Sequence, residues 1–177
     1  MVQSQCRTAS GRLNNSTTYT RGLDLSGTLD GAGGIGGLLA CTYAKLLQAP
    51  GAMPHAYYAC DGNGNVTWLI YPNGQVAARY LYDPFGNLLA AVGPLAEADL
   101  CRFSSKELHP PSGLVYYGYR FYDPSLQRWV SRDPVAELGF GTLPRVRRSV
   151  GLAQGDRINE FRFVANRPTS NFDPLGL

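Results

Sequence analysis

A turn motif that recurs between short apolar stretches constrains the fold most. Residues 61–65 (DGNGN) precede the stretch VTWLI, residues 83–87 (DPFGN) precede LLAAV, and Asn73-Gly74 lies midway between the two motifs. Asn-Gly supplies the positive φ of a tight hairpin, and an Asp side chain accepts hydrogen bonds from the amides of its own turn. The repeat therefore predicts successive antiparallel β-hairpins, one for each unit.

The composition agrees with a mainly β protein that contains short helical pieces. The 177 residues include 21 Gly, 12 Pro and 11 Tyr, which are typical of many turns and short strands. The formal net charge of +3 is too small to indicate a nucleic-acid partner, so we interpret Arg145, Arg147 and Arg148 as an exposed loop. We find neither a signal peptide nor an apolar stretch long enough to span a membrane.

Four cysteines, at positions 6, 41, 60 and 101, are too widely spaced for a metal site, and no CxxC pair is present. We therefore predict free thiols and no metal. Two disulfides are the alternative if the protein is exported.

A glycine-rich stretch places Gly31, Gly33 and Gly36 at the spacing of a dinucleotide-binding fingerprint. Such a fingerprint follows an apolar strand, whereas residues 25–30 are short and polar. We therefore predict no cofactor. The glycines instead allow a bend or a close approach of the backbone, leading into a short helix or strand over residues 38–47.

Aromatic residues dominate positions 115–122 (VYYGYRFY). The alternation predicts one continuous strand over these residues, with aromatic rings on both of its faces. We predict that both faces are covered by packing, because a surface that stacks sugars or bases would need a polar rim.

Two Asp-Pro turns, at Asp133-Pro134 and Asp173-Pro174, suggest a possible chemistry. Two carboxyl groups that share one proton supply both an acid and a base, which is enough for peptide hydrolysis without a metal. The alternative is ordinary turn chemistry, in which Pro fixes φ and no reaction occurs.

Three stretches together resemble the Rhs, or YD-repeat, family and its Rhs-associated core domain. They are residues 82–90 (YDPFGNLLA), 102–134 (RFSSKELHPPSGLVYYGYRFYDPSLQRWVSRDP) and 159–177 (NEFRFVANRPTSNFDPLGL). The motif positions are Asp83, Gly86, Tyr117, Tyr119, Tyr122, Asp123 and Trp129. The resemblance divides the chain into a glycine-rich lead-in (1–58), YD-repeat hairpins (59–101) and the core (102–177).

The resemblance implies a hollow β-shell, plugged by the core domain, that encloses a C-terminal cargo polypeptide, often a toxin. It also implies one aspartic-type self-cleavage after Leu177. Asp133 and Asp173 match the paired aspartates, and Arg132 matches a neighbouring basic residue that could hold one of them ionised. The implied partners are the rest of the shell and the cargo, and the implied location is the bacterial envelope or exterior.

Some positions depart from the family pattern. Ala136 and Gln127 stand where the family has Gly, and the extra residues around 137–157 lengthen the segment between the two aspartates. The resemblance also leaves an alternative function, an adhesive or cell-surface YD-repeat module without catalysis.

Overall fold

The computed structural model describes the backbone of residues 2–6 and all of residues 16–134 and 159–176, apart from the Gln48 side chain. These residues form eleven strands in two antiparallel sheets, of seven and four strands. The predicted mainly β fold is confirmed. Among the described residues, no helix has the length and apolar character needed to cross a bilayer.

The larger sheet is a meander in which each strand pairs with the strand before it. Its strands are β1 (Val2–Cys6), β2 (Thr17–Arg21), β3 (Leu38–Tyr43), β4 (His55–Cys60), β5 (Val66–Ile70), β6 (Val76–Tyr82) and β7 (Leu88–Val92). Residues 38–47, which we predicted as a short helix or strand, contain both, because a 3-10 helix (Ala44–Gln48) follows β3 directly. The expected boundary after residue 58 falls inside β4.

The two predicted turn motifs have the same hydrogen-bond pattern. Asp61 Oδ1 accepts bonds of 2.9 Å from the amides of Asn63 and Asn65, and Asp83 Oδ1 accepts bonds of 2.8 and 2.9 Å from Phe85 and Asn87. The side-chain amide of each motif's final Asn also donates to Oδ2 of the same Asp. The Asp carboxylate therefore fixes the whole turn and the register of the hairpin it closes.

Gly86 should tolerate an added methyl group much less than Gly74. Both have positive φ, +89° and +83°, so alanine costs about 1 kcal/mol at either position. A Cβ at Gly86 would also lie 2.6 Å from the Phe103 ring, whereas a Cβ at Gly74 meets nothing within 4 Å. We expect Gly86→Ala to lower the free energy of unfolding by about 1–3 kcal/mol more than Gly74→Ala in urea denaturation. Equal losses would show that Phe103 does not constrain this turn.

The first hydrophobic core lies on one face of the larger sheet. Its members include Tyr19, Cys41 and Leu69, and residues 93–101 cover it with Leu95 and Cys101. Cys41, Cys60 and Cys101 are free thiols, as predicted for these three; the Cys6 side chain lies outside the described residues.

Asp99 is a buried acid in this core, with no exposed surface. The Tyr58 hydroxyl donates a 2.6 Å bond to Asp99 Oδ1, and the Arg102 guanidinium lies nearby. Burial disfavours the charged form of Asp99 more than Tyr58 and Arg102 favour it. Burial therefore raises the pKa of Asp99 from 3.8 to about 7.

This burial predicts a specific dependence of stability on pH. Between about pH 4 and pH 7 the folded chain holds a proton on Asp99 that the unfolded chain has lost, so stability falls as pH rises through this window. The slope reaches about 1.4 kcal/mol per pH unit at its steepest. Asp99→Asn should remove this contribution. Urea denaturation of both proteins at pH 5 and pH 6.5 measures it, and parallel changes in the two would contradict it.

The smaller sheet is also a meander in which each strand pairs with the strand before it. Its strands are β8 (Glu107–His109), β9 (Leu114–Tyr116), β10 (Phe121–Asp123) and β11 (Arg128–Trp129). A 3-10 helix (Phe103–Ser105) precedes it, and another (Val164–Asn166) lies in the C-terminal segment.

The prediction of one continuous strand over residues 115–122 was wrong. Strands β9 and β10 form a hairpin instead, in which the Tyr117 amide donates to the Arg120 carbonyl at 3.0 Å across a tight turn. Gly118 enters this turn with a φ of +105°, which residues with a Cβ rarely adopt. The prediction that both faces are covered was also wrong, since Tyr116, Tyr119 and Phe121 are exposed.

The second hydrophobic core is almost entirely aromatic and lies under the smaller sheet. Its buried members are Phe103, Val115, Tyr117, Tyr122, Trp129 and Phe163. The rings of Tyr122 and Phe163 stack with centroids 4.0 Å apart, and Tyr117 meets Trp129 edge-on at 5.1 Å. Tyr82 packs against both cores. It therefore links the two sheets.

Candidate functional site

The guanidinium of Arg120 lies between two carboxylates. Its Nη2 atom is 3.6 Å from Asp133 Oδ2 and 3.6 Å from Asp173 Oδ2. The side chain of Arg120 is buried, and those of Asp133 and Asp173 are only 21% and 11% exposed. Two acids that are distant in sequence therefore converge on one cation, away from most of the solvent.

Local structure positions each member of this group. Arg120 ends the β9–β10 turn, and Asp133 lies shortly after β11. Asp173 Oδ1 accepts bonds from the amides of Leu175 (3.2 Å) and Gly176 (2.7 Å), which holds its carboxylate in a turn of its own. The two amides and the guanidinium together fix the position of this carboxylate.

Arg120 makes further contacts that fix its orientation. Its Nε donates to the Gly176 carbonyl at 2.6 Å, its Nη1 donates to the Glu160 carbonyl at 3.1 Å, and its guanidinium lies 4.2 Å from the centre of the Trp129 ring. Burial lowers the pKa of Arg120, and the charges of Asp133 and Asp173 oppose that shift. The planar guanidinium suits such divided contacts better than a lysine ammonium would.

The C-terminal segment lies against the smaller sheet with its carbonyls paired in succession. The Pro174 carbonyl accepts from Lys106 Nζ (2.7 Å), the Leu175 carbonyl accepts from the Tyr119 amide (3.2 Å), and the Gly176 carbonyl accepts from Arg120. Gly176 has a φ of +76°, and a Cβ there would lie 3.0 Å from Tyr117 Cβ. The backbone is therefore held residue by residue up to the last described position.

Lys106 joins the glycine-rich loop to this segment. Its Nζ also donates to the Gly33 carbonyl at 2.8 Å, and a Cβ on Gly33 would overlap the Pro174 carbonyl oxygen. Gly33 therefore allows the close backbone approach predicted for this glycine-rich stretch. The backbone that approaches it is that of Pro174 in the same chain. Burial lowers the pKa of Lys106 to about 8, although the Asp173 charge opposes the shift.

Comparison with known proteins finds similar sequences and a similar solved structure. No family model matches it. YibJ, an uncharacterised protein of Escherichia coli K12, is 33% identical over 131 residues, which cover 74% of this chain and 48% of YibJ. Toxin subunit YenC1 of Yersinia entomophaga is 34% identical over 107 residues, which cover 59% of this chain and 9% of YenC1. The crystal structure of TcdB2-TccC3 matches with a TM-score of 0.66 at 22% identity.

These matches confirm the resemblance to the Rhs, or YD-repeat, family. The match to TcdB2-TccC3 shows a shared fold over 95% of this chain, although it spans only 7% of that structure's chain. The chain likewise spans about half the length of YibJ and under a tenth of YenC1.

The Rhs motif positions have distinct structural roles. Asp83 and Gly86 form a repeat turn; Tyr117, Tyr122 and Trp129 belong to the aromatic core. Asp123 Oδ1 accepts bonds from the amides of Ser125 (2.9 Å) and Leu126 (3.1 Å) before β11. Tyr119 is 62% exposed at the hairpin tip, and its backbone amide donates to the Leu175 carbonyl of the C-terminal segment. At the family's glycine position, Gln127 has a φ of +55°.

The structure brings together Asp133 and Asp173 of the predicted Rhs site and places Arg132 differently. The Arg132 side chain is 71% exposed, and its Nε lies 3.6 Å from Glu160 Oε2. Leu177 and Ala136 lie outside the described residues, as do the three arginines at 145, 147 and 148 and the extra residues at 137–157.

Sequence reasoning missed Arg120 and Lys106. Arg120 did carry a signal, because it is the single charged residue in the otherwise uncharged run 113–122. No spacing in the sequence pointed to Lys106, because both of its acceptors are backbone carbonyls far away in sequence. Within the described part of the chain, no His, Cys, Asp and Glu side chains form a group that could hold a metal ion.

Proposed function

We propose that this chain is the C-terminal core of an Rhs-type shell that encloses a C-terminal cargo polypeptide and cuts itself once, after Leu177. The observation that carries the proposal is the position of Arg120 between Asp133 and Asp173, with its Nε on the Gly176 carbonyl. A paired acid system thus adjoins a backbone segment that leads directly to the proposed bond.

The reaction consumes one water molecule. One carboxylate of the pair takes a proton from the water, whose oxygen attacks the carbonyl carbon of Leu177. The C–N bond to the following residue breaks, and the protonated carboxyl of the other aspartate donates its proton to the leaving nitrogen. The products are a carboxylate at Leu177 and a new amino terminus.

Arg120 is the basic residue that acts on the two aspartates, the role that the resemblance implied for Arg132. Its buried guanidinium faces both carboxylates and offsets the repulsion between them. The same side chain holds the Gly176 carbonyl, so it fixes the substrate segment and the acids in one arrangement. This matters because misplacement by about 1 Å can cost about 100-fold in rate.

The larger sheet is the proposed connection to the rest of the shell. Among the described strands, β1 and β7 lie at its two edges. Edge strands present backbone donors and acceptors that pair readily with further strands. We propose that additional YD repeats continue this sheet and that the enclosed cargo is toxin-related, by analogy with the similar toxin subunit YenC1.

The test is to express the chain with a reporter domain added after Leu177. We expect complete conversion to two fragments, at a rate independent of protein concentration, because the reaction is intramolecular. An Asp173→Asn chain with a reporter of different size, mixed with the parent, should stay uncut. A single uncut product that retains a β-rich circular dichroism spectrum would contradict the self-cleavage proposal.

A further inference from the structure

Three segments that are far apart in sequence meet at the ammonium of Lys106. It donates to the Gly33 carbonyl and to the Pro174 carbonyl, and it lies 5.3 Å from the centre of the Tyr117 ring. Lys106 is 9% exposed, which is unusual for a lysine. A buried ammonium is costly unless its donors are used, and here they hold two backbone carbonyls together.

We propose that Lys106 is a positioning residue for self-cleavage, which clamps the Pro174 carbonyl against the Gly33 carbonyl and so sets the place of the segment that is cut. This inference rests on the proposed function. It goes further by assigning a role to the glycine-rich loop, which lies far outside the core motifs in sequence.

The loop is rigid enough to act as the fixed side of the clamp. Asp24 is buried, and its Oδ2 accepts bonds from the amides of Ala32 (2.7 Å) and Gly34 (3.0 Å) on either side of Gly33. Ser26 donates to the other oxygen of Asp24. The Gly33 carbonyl therefore has a defined position. Because Lys106 donates to both carbonyls, it holds the Pro174 carbonyl at a defined place beside Gly33.

The clamp makes cleavage depend on the lead-in segment. The paired acids and Arg120 come from residues after position 119, whereas the clamp requires the loop between β2 and β3 to be folded in place. The cut is therefore delayed until the larger sheet has formed. A cargo would then be released from the chain only after the adjoining part of the shell exists.

The first test adds one methyl group to the fixed side. Gly33→Ala must displace the Pro174 carbonyl, because a Cβ on Gly33 would overlap its oxygen. Gly27→Ala is the matched control: Gly27 lies in the same loop with a φ of +73°, close to the +63° of Gly33, and its Cβ meets nothing within 4 Å. In the reporter fusion, we expect Gly33→Ala to slow cleavage about 100-fold and Gly27→Ala to leave the rate within a few-fold of the parent.

The second test separates the charge of Lys106 from its bulk. The charged groups that act on Lys106 are Asp173 and Asp24, which favour its protonated form, and Arg21, which opposes it. As pH rises through about 8 the ammonium loses its proton, so cleavage should slow. Lys106→Arg keeps its charge at these pH values, so its cleavage rate should not fall as pH rises through about 8. Lys106→Met has no charge at any of these pH values, so it should cut slowly at all of them. Fusions pulse-labelled in cell-free translation and shifted to pH 7, 8 or 9 measure these rates.

The outcomes distinguish the two proposals. If the parent fusion stays uncut, or if Asp133→Asn and Asp173→Asn still cut, the proposed function fails. If the parent cuts and those variants do not, but Gly33→Ala cuts like Gly27→Ala, the clamp is refuted and the paired acids stand. Identical pH profiles for the parent and Lys106→Arg also overturn it, because a purely structural lysine would not alter the profile.

Discussion

Asp173→Asn is expected to leave a chain that extends beyond Leu177 uncut. The substitution keeps the shape of the side chain and removes its ability to take or give the proton. General acid–base groups contribute about 100-fold to 10,000-fold in rate, so cleavage should fall by at least about 100-fold. Asp133→Asn should have a similar effect, because each acid depends on the other. Electrophoresis of the reporter fusion over time measures both.

Asp123→Asn provides the matched control for this result. Asp123 also precedes a proline, and its Oδ1 also accepts two amide bonds within a turn. It is the last residue of β10 and takes no part in the proposed chemistry, so we expect cleavage at the parent rate. If all three asparagine variants cut at the same rate, the paired acids are not the catalytic groups.

Replacement of Arg120 is expected to have the largest effect on stability as well as on cleavage. Arg120→Leu removes the cation shared by Asp133 and Asp173 and the donors to the Gly176 and Glu160 carbonyls. Removing one partner of a buried ion pair costs about 3–5 kcal/mol. We expect a loss of this size in urea denaturation, together with an uncut reporter fusion.

Arg120→Lys separates charge from geometry. A lysine ammonium keeps the charge but cannot reach two carboxylates and two carbonyls at once. It should recover part of the stability while cleavage stays at least about tenfold below the parent. Arg132→Gln is the control, because an exposed pair such as that with Glu160 contributes less than about 1 kcal/mol. Loss of cleavage in Arg132→Gln but not in Arg120→Lys would return the role to Arg132.

The sequence predicted the parts of the fold that depend on local chemistry. The turns at Asp61 and Asp83 formed as expected because one carboxylate, two amides and a glycine specify them within five residues. The hairpins between these turns follow from their geometry. The two Asp-Pro turns suggested the pairing of Asp133 and Asp173, and the family resemblance implied a role for it. Their contact through Arg120 gave no local signal, because these residues are far apart in sequence.

The parts that sequence reasoning missed depend on distant contacts. The aromatic run over 115–122 has the alternation of a strand, yet Gly118 turns the chain there and brings Arg120 to the carboxylates. Arg132, adjacent to Asp133 in sequence, was the natural choice for a partner but is mostly exposed. Lys106 and Gly33 meet only because the two sheets and the C-terminal segment pack together.

The most direct test of self-cleavage is the mass of the first fragment when the extended chain is made in water enriched in ¹⁸O. Hydrolysis by the paired acids predicts one fragment that ends at Leu177 and carries one ¹⁸O atom in its new carboxylate. Asp173→Asn should give no such fragment. A cut at the acid-labile Asp173-Pro174 bond, a fragment ending at Leu177 without the label, or an uncut folded chain would contradict the account.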